Sequence, residues 1–209
     1  MGLLTSLLAL PVCADTLSSN LTSTSGGSEA ASGDTWLAAS FATGSSSSTL
    51  SDVSLLLANL TSSTVAAQLT LYADDGLNEP GAAVGTLTAS SGYSTTLSDV
   101  TFTGSDLTLS ADTTYWVVLS ATSGELDWSY AADDNEIGTG FTDTWAASYD
   151  AGSTWFTYAS SQDAGVDPLQ MDVETTSSVI SAAPEPGTAP LVSASCGLLL
   201  FTFAKSRRG

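Results

Sequence analysis

The sequence predicts an all-β protein whose body is a single antiparallel β-sandwich of the jelly-roll or Greek-key kind. Three observations favour this fold. Apolar residues alternate or form short runs of strand length throughout the body. Turn-forming residues such as Gly44, Asp74-Asp75-Gly76 and Pro80-Gly81 separate these runs. The sequence has no Gly-rich phosphate loop opening a helix and no internal repeat of fixed period.

The predicted strands follow one another within residues 34–175, a length that suits one domain with its own core. A short apolar strand is predicted from Leu107, followed by a turn at Ala111-Asp112. The run from Tyr115 to Ala121 comes after this turn, and its nearly continuous apolar character is typical of a central strand buried on both faces. In order, the predicted strands run from Trp36 to Thr43, Leu50 to Leu57, Val65 to Ala73, Val84 to Thr88, Val100 to Thr103, Tyr115 to Ala121, Leu126 to Tyr130, Trp155 to Tyr158 and Leu169 to Val173.

Segments of different composition flank this body. Residues 15–33 and 176–187 are rich in Ser and Thr and nearly free of large apolar side chains, so we expect both to be flexible linkers. Residues 1–14 carry an apolar run that ends in Val12-Cys13-Ala14, a small-residue pattern that a signal peptidase accepts. The sequence therefore predicts a signal peptide at residues 1–14.

The end of the chain has the composition of a membrane segment. Leu191 to Ala204 contains no ionisable side chain except the Cys196 thiol, and residues 188–204 are predicted to be a transmembrane helix. All three basic residues of the chain follow this segment, at Lys205, Arg207 and Arg208. Because basic residues are retained in the cytoplasm, residues 205–209 are predicted to be a cytoplasmic tail and the body to face outward.

Pro184, Glu185 and Pro186 lie just before the membrane segment, and the two prolines favour an extended, exposed peptide there. This order of Pro-Glu-Pro, apolar segment and basic end resembles the PEP-CTERM sorting signal of bacteria, over Ala183 to Gly209. The resemblance implies a transient stay in the inner membrane and processing by an exosortase-type enzyme. The expected destination is the cell surface or an extracellular matrix such as a biofilm.

The body carries a second resemblance. Trp36 to Gly44, Tyr72 to Gly76, Glu79-Pro80-Gly81 and Asp112 to Val118 follow one another in an order that resembles the bacterial extracellular domain called choice-of-anchor R. The match covers residues 34–173. It implies an extracellular domain with a variable attachment signal, and it implies no chemistry.

Charge and composition restrict the function. The chain has 22 acidic residues, 3 basic residues and no histidine, for a net charge of -19. Nucleic acid is excluded as a partner because a binder must neutralise phosphates with Lys or Arg. Cys13 and Cys196 lie in the terminal segments, so the mature body is predicted to have no disulfide and no thiol nucleophile.

No cofactor is expected, and the one candidate ion is Ca²⁺, for which two acidic clusters are the candidate sites. Calcium prefers carboxylate and carbonyl oxygens on a flexible loop. Asp and Asn are also ordinary turn formers, which is the alternative interpretation. The candidate ligands are Asp74, Asp75 and Glu79 in one cluster and Asp133, Asp134 and Glu136 in the other.

Aromatic residues crowd the last third of the body, and they are candidates for stacking on sugar rings. Aromatic side chains also fill sandwich cores, so we expect at least half of them to be buried. The candidate carbohydrate-binding residues are Trp128, Tyr130, Trp145 and Trp155.

Catalysis is not expected, because a hydroxyl nucleophile needs a base and the body offers neither His nor Lys. The sequence thus predicts an exported surface or extracellular-matrix protein with a structural or adhesive role. The first alternative is a carbohydrate-binding module of the exopolysaccharide layer, which exposed coplanar aromatics would favour. The second is a hydrolase acting on that matrix through two carboxylates such as Asp127 and Glu136.

Overall fold

The computed structural model describes residues 12–61, 64–133, 135–159 and 167–178 of the chain. Within these ranges the protein is all-β, with thirteen strands, antiparallel pairings throughout and no helix. The strands are β1 (Val12–Ser19), β2 (Ser25–Ala31), β3 (Trp36–Ala42), β4 (Ser48–Ala58), β5 (Ala66–Asp74), β6 (Pro80–Ala89), β7 (Ser98–Thr103), β8 (Thr108–Leu109), β9 (Thr114–Ser123), β10 (Leu126–Ala131), β11 (Phe141–Ser148), β12 (Phe156–Ala159) and β13 (Met171–Ser178).

Each strand predicted from the apolar pattern is confirmed, with ends shifted by a few residues. The short apolar strand predicted from Leu107 is β8, whereas the pattern does not predict β1, β2 or β11. The run from Tyr115 to Ala121 is buried along its whole length and forms the middle of β9, as predicted. This strand pairs with β3 on one side and with β5 on the other, so it is central in its sheet.

Neighbouring strands are hydrogen-bonded into two series, which we call the two runs of strands, and these meet at β6. One run is β1-β13-β4-β7, and the other is β6-β5-β9-β3-β11-β12. Strand β6 pairs with β5 along Leu69 to Asp74 and with β7 at Thr88 and Ala89, so it passes from one run into the other. Strand β10 lies beside β2 and the end of β4. This arrangement is sandwich-like.

One hydrophobic core fills the space between the two runs. Because side chains alternate along a strand, every second residue of each run faces this space. Val53 and Leu55 of β4 belong to the same buried cluster as Phe41 of β3 and Val117 of β9. Full burial of such a side chain stabilises the fold by about 1.5–3 kcal/mol. The shared core is what joins the runs into one body.

Residues 15–33 correct the linker prediction, because they contribute β1 and β2 to the fold. Strand β1 pairs with β13 from Val12↔Ser178 to Ser19↔Asp172. Strand β2 pairs with β10 from Leu126↔Ala31 to Ala131↔Ser25. Backbone hydrogen bonds hold these strands, and they need no large apolar side chain.

Polar side chains secure the turn between β1 and β2. The Asn20 side chain accepts a hydrogen bond from the Met171 backbone N–H at 2.7 Å and donates to the Leu169 carbonyl at 3.2 Å. The Gln170 amide donates to the Ser23 carbonyl at 2.8 Å and accepts from the Ser129 hydroxyl at 2.6 Å. Asn20 and Gln170 are both buried, so this network fixes the turn against β13 and β10.

The ends of the body are also longer than predicted. Strand β1 includes Val12 to Ala14 of the predicted signal peptide, and β13 continues through residues 176–178 of the predicted second linker. Residues 1–11 and 179–209 lie outside the described part of the chain, and they include the sorting motif, the membrane segment and the basic tail. Among the described residues, no helix is long and apolar enough to cross a membrane.

Candidate functional site

A second apolar cluster lies on the outer face of the β5-β9-β3-β11 sheet, opposite the core. Its buried members are Ala38, Trp116, Val118 and Ala146, and Trp36, Tyr72 and Trp155 pack against them while partly exposed. Their sequence neighbours in β3, β9 and β11 point into the core, which places the cluster outside. We call Trp36, Tyr72, Trp116 and Trp155 the outer aromatic cluster.

Trp116 is the fixed base of the outer aromatic cluster. Its side chain is completely buried, and its indole N–H donates to Asp74 Oδ2 at 2.9 Å. The other oxygen of the same carboxylate accepts from the Gly76 backbone N–H at 2.7 Å. Asp74 therefore ties β9 to the loop between β5 and β6.

This loop, residues 75–79, reaches toward β12. Asp75 Oδ1 accepts from the Leu77 N–H at 2.7 Å, which closes a turn within the loop. The Asn78 carbonyl accepts from the Thr157 hydroxyl at 3.2 Å. The loop thus links the strand that carries Tyr72 to the edge strand that follows Trp155.

The turn between β11 and β12 holds Trp36 and Trp155. The Asp150 carboxylate accepts from the Thr154 N–H at 2.8 Å and from the Thr154 hydroxyl at 2.7 Å. These bonds to Thr154, followed by that from the Ser148 hydroxyl, lower the pKa of Asp150 below its ordinary value. A Cβ at Gly152 would lie 2.7 Å from Trp36 Cζ3, so the backbone here packs directly against the indole.

The aromatic residues predicted to bind sugars do not lie together. Trp128 is completely buried, with its indole N–H donating to the Gln170 carbonyl at 2.8 Å. Trp145 is 9% exposed and stacks on Tyr158 with ring centroids 4.5 Å apart. Both rings belong to the core, because they fall on the inward-facing positions of β10 and β11. They are therefore not available as a stacking platform.

The other two predicted aromatics have different surroundings. Tyr130 is partly exposed and packs on the backbone of Gly26 and Gly27, where no Cβ would fit. Trp155 belongs to the outer aromatic cluster, whose other partly exposed members, Trp36 and Tyr72, the sequence did not single out as site residues. Alternation along the strand could have predicted the position of Trp36. Successive side chains of a strand point to opposite faces, so Trp36, Ala38 and Ser40 of β3 lie on the face opposite Leu37, Ala39 and Phe41.

The candidate calcium ligands are engaged in turns. Asp74 and Asp75 accept hydrogen bonds from their own loop, as described above, and Glu79 follows in the same loop. Asp133 accepts from the Thr24 N–H at 3.2 Å and from the Asn135 amide at 3.1 Å. Bonds from Thr24, above all, lower the pKa of Asp133.

The second acidic cluster has two further members. Glu136 is exposed, and Asp134 lies outside the described residues. No group of three or more metal-ligating side chains is arranged to hold an ion in the part of the chain that the structure describes.

A row of acids that the sequence did not single out lies on the outer face of the other run. Glu174 of β13 pairs directly with Asp52 of β4, and Asp172 follows on the same face. Burial raises the pKa of Asp172. A hydrogen bond from Ser19 lowers this pKa in part, and the negative charges of Glu174, Asp52 and Asp99 raise it. These carboxylates repel one another across the strands.

Two further places were considered as candidate sites, a cavity beside β1 and the pair of carboxylates considered for hydrolysis. A shallow cavity of ≈ 220 Å³ lies between β1 and the β3–β4 loop, lined by hydroxyls of Ser45, Ser48 and Thr139 and by Asp15. Asp127, one of the two carboxylates considered for hydrolysis, is 9% exposed in β10, and Glu136 is exposed in a loop. Asp127 Oδ2 has no hydrogen-bond partner among the described residues.

Compared with protein-family models and with curated proteins, the chain matches none. The described residues contain no Lys, Arg or His, so every charged side chain among them is a carboxylate. The outer aromatic cluster combines partly exposed rings with nearby carboxylate and hydroxyl oxygens. This chemistry suits stacking and hydrogen-bond acceptance rather than proton transfer by a cationic group.

Proposed function

We propose that the chain is an exported surface or extracellular-matrix protein with a structural or adhesive role, sorted by a tail of the PEP-CTERM kind. One observation carries the proposal: Pro184-Glu185-Pro186, the apolar residues 188–204 and the three basic residues Lys205, Arg207 and Arg208 occur in this order. The PEP-CTERM resemblance implies that an enzyme of the inner membrane processes a chain with an extended, exposed peptide, a membrane segment and a basic stop, which the positive-inside rule keeps in the cytoplasm.

The proposed body is a single antiparallel β-sandwich with jelly-roll or Greek-key crossing, and the proposed tail is a transmembrane helix at residues 188–204. The shared core of the two runs supports the sandwich. Residues 14–178 contain no cysteine, so the body relies on apolar packing and buried polar networks in either redox compartment. Its carboxylates keep it soluble and repel phosphate-rich polymers.

The two ends of the described body support this proposal. Val12 and Ser178 are register partners, so β1 begins where β13 ends. The predicted signal segment and the predicted tail are therefore joined to the body at neighbouring points. With such an attachment the remainder of the body stays accessible to the matrix.

Cell fractionation of tail variants tests the proposal. In a host with the matching processing enzyme, the wild-type chain should leave the membrane fraction. Replacement of Pro184, Glu185 and Pro186 by alanine should hold the chain in the membrane at full length. Arg207→Lys together with Arg208→Lys keeps the charge and serves as the matched control, which should be released normally. Release of the triple alanine variant at the wild-type rate contradicts the proposal.

A further inference from the structure

We propose that the cavity beside β1 binds a primary alkylammonium group, with the Asp15 carboxylate as its counter-ion. The cavity is lined by Asp15, Leu17, Thr139, Thr175 and residues of the loop between β3 and β4, and we call it the β1 cavity. Its volume of ≈ 220 Å³ suits a group of several heavy atoms better than a single ion. This ligand class goes beyond the structural or adhesive role and does not depend on export of the chain.

The β1 cavity lies at one end of the space between the two runs of strands, where core-facing positions become polar. Thr175 of β13 is the register partner of the core residue Leu50, so its side chain faces the core side of the sheet. Asp15 of β1 pairs with Thr175 and shares its face. Ser48 of β4 pairs with Leu109, another core residue, and lies on this face as well. A carboxylate and hydroxyls therefore replace apolar side chains at this end.

The opposite wall of the β1 cavity comes from the ends of β3 and β11. Gly44 and its neighbours follow β3, and Thr139 precedes β11. The Gly140 N–H donates to the Leu17 carbonyl at 2.8 Å, and the Gly140 carbonyl accepts from the Ala42 N–H at 2.8 Å. These two bonds join β1 to β3 through the segment before β11, so backbone pairing sets the width of the cavity.

The polar groups of the β1 cavity are available to a ligand. Among the described residues, no group donates a hydrogen bond to the Asp15 carboxylate, whereas Asp74 and Asp150 are engaged by their own turns. Four hydroxyls of the cavity wall also have no hydrogen-bond partner within the described ranges, those of Ser45, Ser46, Ser48 and Thr139. Convergent polar groups without internal partners are what a binding pocket offers to a ligand.

Charge and hydrogen bonding select a primary ammonium group. Every charged side chain among the described residues is a carboxylate, so the body attracts cations. An ammonium group donates several hydrogen bonds and accepts none, which matches the Asp15 carboxylate and the hydroxyl oxygens around it. Calcium would need about six to eight oxygen ligands, and the cavity supplies a single carboxylate. Leu17 lines the same cavity and offers an apolar contact for the methylene groups of the ligand.

An NMR titration of the isotope-labelled full chain in a nonionic detergent tests the inference. Butylammonium chloride should shift the backbone amide signals of Gly44, Ser46 and Thr139, and the shifts should saturate. The probe n-butanol has a similar shape without the charge, and tetramethylammonium has the charge without an N–H donor. At equal concentration and ionic strength neither of them should give saturable shifts. Asp15→Asn should weaken butylammonium binding by about fivefold, because Asp15 is exposed and an exposed ion pair contributes at most about 1 kcal/mol.

Matched variants separate the cavity from the general charge of the body. Glu29→Gln removes an exposed acid that does not line the cavity, and this variant should bind like the wild type. Ser46→Leu places an aliphatic side chain in the cavity from an exposed loop position and should abolish the saturable shifts, even where Asp15→Asn alters the fold. The inference is overturned if butylammonium gives no saturable shift or if Asp15→Asn binds it normally. Equal shifts with n-butanol, or with tetramethylammonium through charge screening alone, overturn it as well.

Discussion

At the scale of single residues, the carboxylates of this chain have two kinds of surroundings. Asp74, Asp75 and Asp150 accept hydrogen bonds from the turns in which they lie, so their charge is compensated locally. Asp172 instead lies among three other carboxylates on the outer sheet face. A sequence this rich in acids gives no sign of which neighbours each carboxylate will have, because that depends on strand register.

Asp172→Asn should stabilise the protein at pH 7 and have little effect at acidic pH. The pKa of Asp172 is raised in the folded state, so the proton binds more tightly there than in the unfolded chain. Protonated Asp172 contributes favourably to the free energy of unfolding. This contribution is complete below the ordinary pKa of 3.8 and is lost as the pH rises through the raised pKa of the folded state. We expect a gain of about 0.2–1 kcal/mol at pH 7, the usual size of a cross-strand pair term.

Urea unfolding at pH 7 and at pH 3 measures this effect. Glu29→Gln, which removes an exposed acid on β2, is the charge-matched control and should change the free energy of unfolding little at either pH. A gain for Asp172→Asn that is the same at both pH values would show that the ionised state of the half-buried Asp172 carboxylate is not its source.

Gly152→Ala should destabilise the protein more than Gly76→Ala. Both glycines have positive φ, 83° and 88°, so both substitutions strain the backbone by about 1–2 kcal/mol. A Cβ at Gly76 meets open space, while one at Gly152 meets the Trp36 ring. Denaturant titration should rank the two variants in this order, and only Gly152→Ala should alter near-ultraviolet circular dichroism. Equal losses would mean that Gly152 does not support Trp36.

At the scale of strands, the apolar pattern located those whose side chains fill the core. It missed β1 and β2, because their sequences are mostly small and polar and their pairing rests on the backbone. It missed β11 as well, where Phe141, Trp145 and the alanines between polar residues make a weak alternation. The linker assignment for residues 15–33 failed for the same reason. Composition shows whether a segment has apolar side chains to bury, and it does not show whether its backbone pairs with another strand.

Asn20→Ala should therefore behave as a core substitution although it lies in a polar segment. It leaves the Met171 N–H and the Leu169 carbonyl without their side-chain partner in a buried place, at a cost of about 1–3 kcal/mol. Asn135→Ala removes an exposed amide and should cost little. Thermal unfolding of both variants provides the comparison. A melting temperature unchanged by Asn20→Ala would restore the linker interpretation of the first segment.

At the scale of the whole molecule, sequence reasoning predicted the fold class better than it predicted the candidate site. Strand periodicity is local, so an all-β body could be recognised from runs such as Tyr115 to Ala121. The face on which a ring lies depends on its position in the alternation of the strand, and its exposure depends on what covers that face. The sequence put Trp116 in a strand predicted to be buried on both faces and made Trp128 a candidate sugar-binding residue. Both are buried, Trp116 on the outer face and Trp128 in the core.

The central claim is that the acidic body is exported and then separated from its membrane tail. Intact-mass measurement of the mature protein from the cell exterior tests it most directly. The account predicts a chain that retains β13 through Ser178 and has lost residues 188–209. Recovery of a mature protein that still carries residues 188–209 would contradict it.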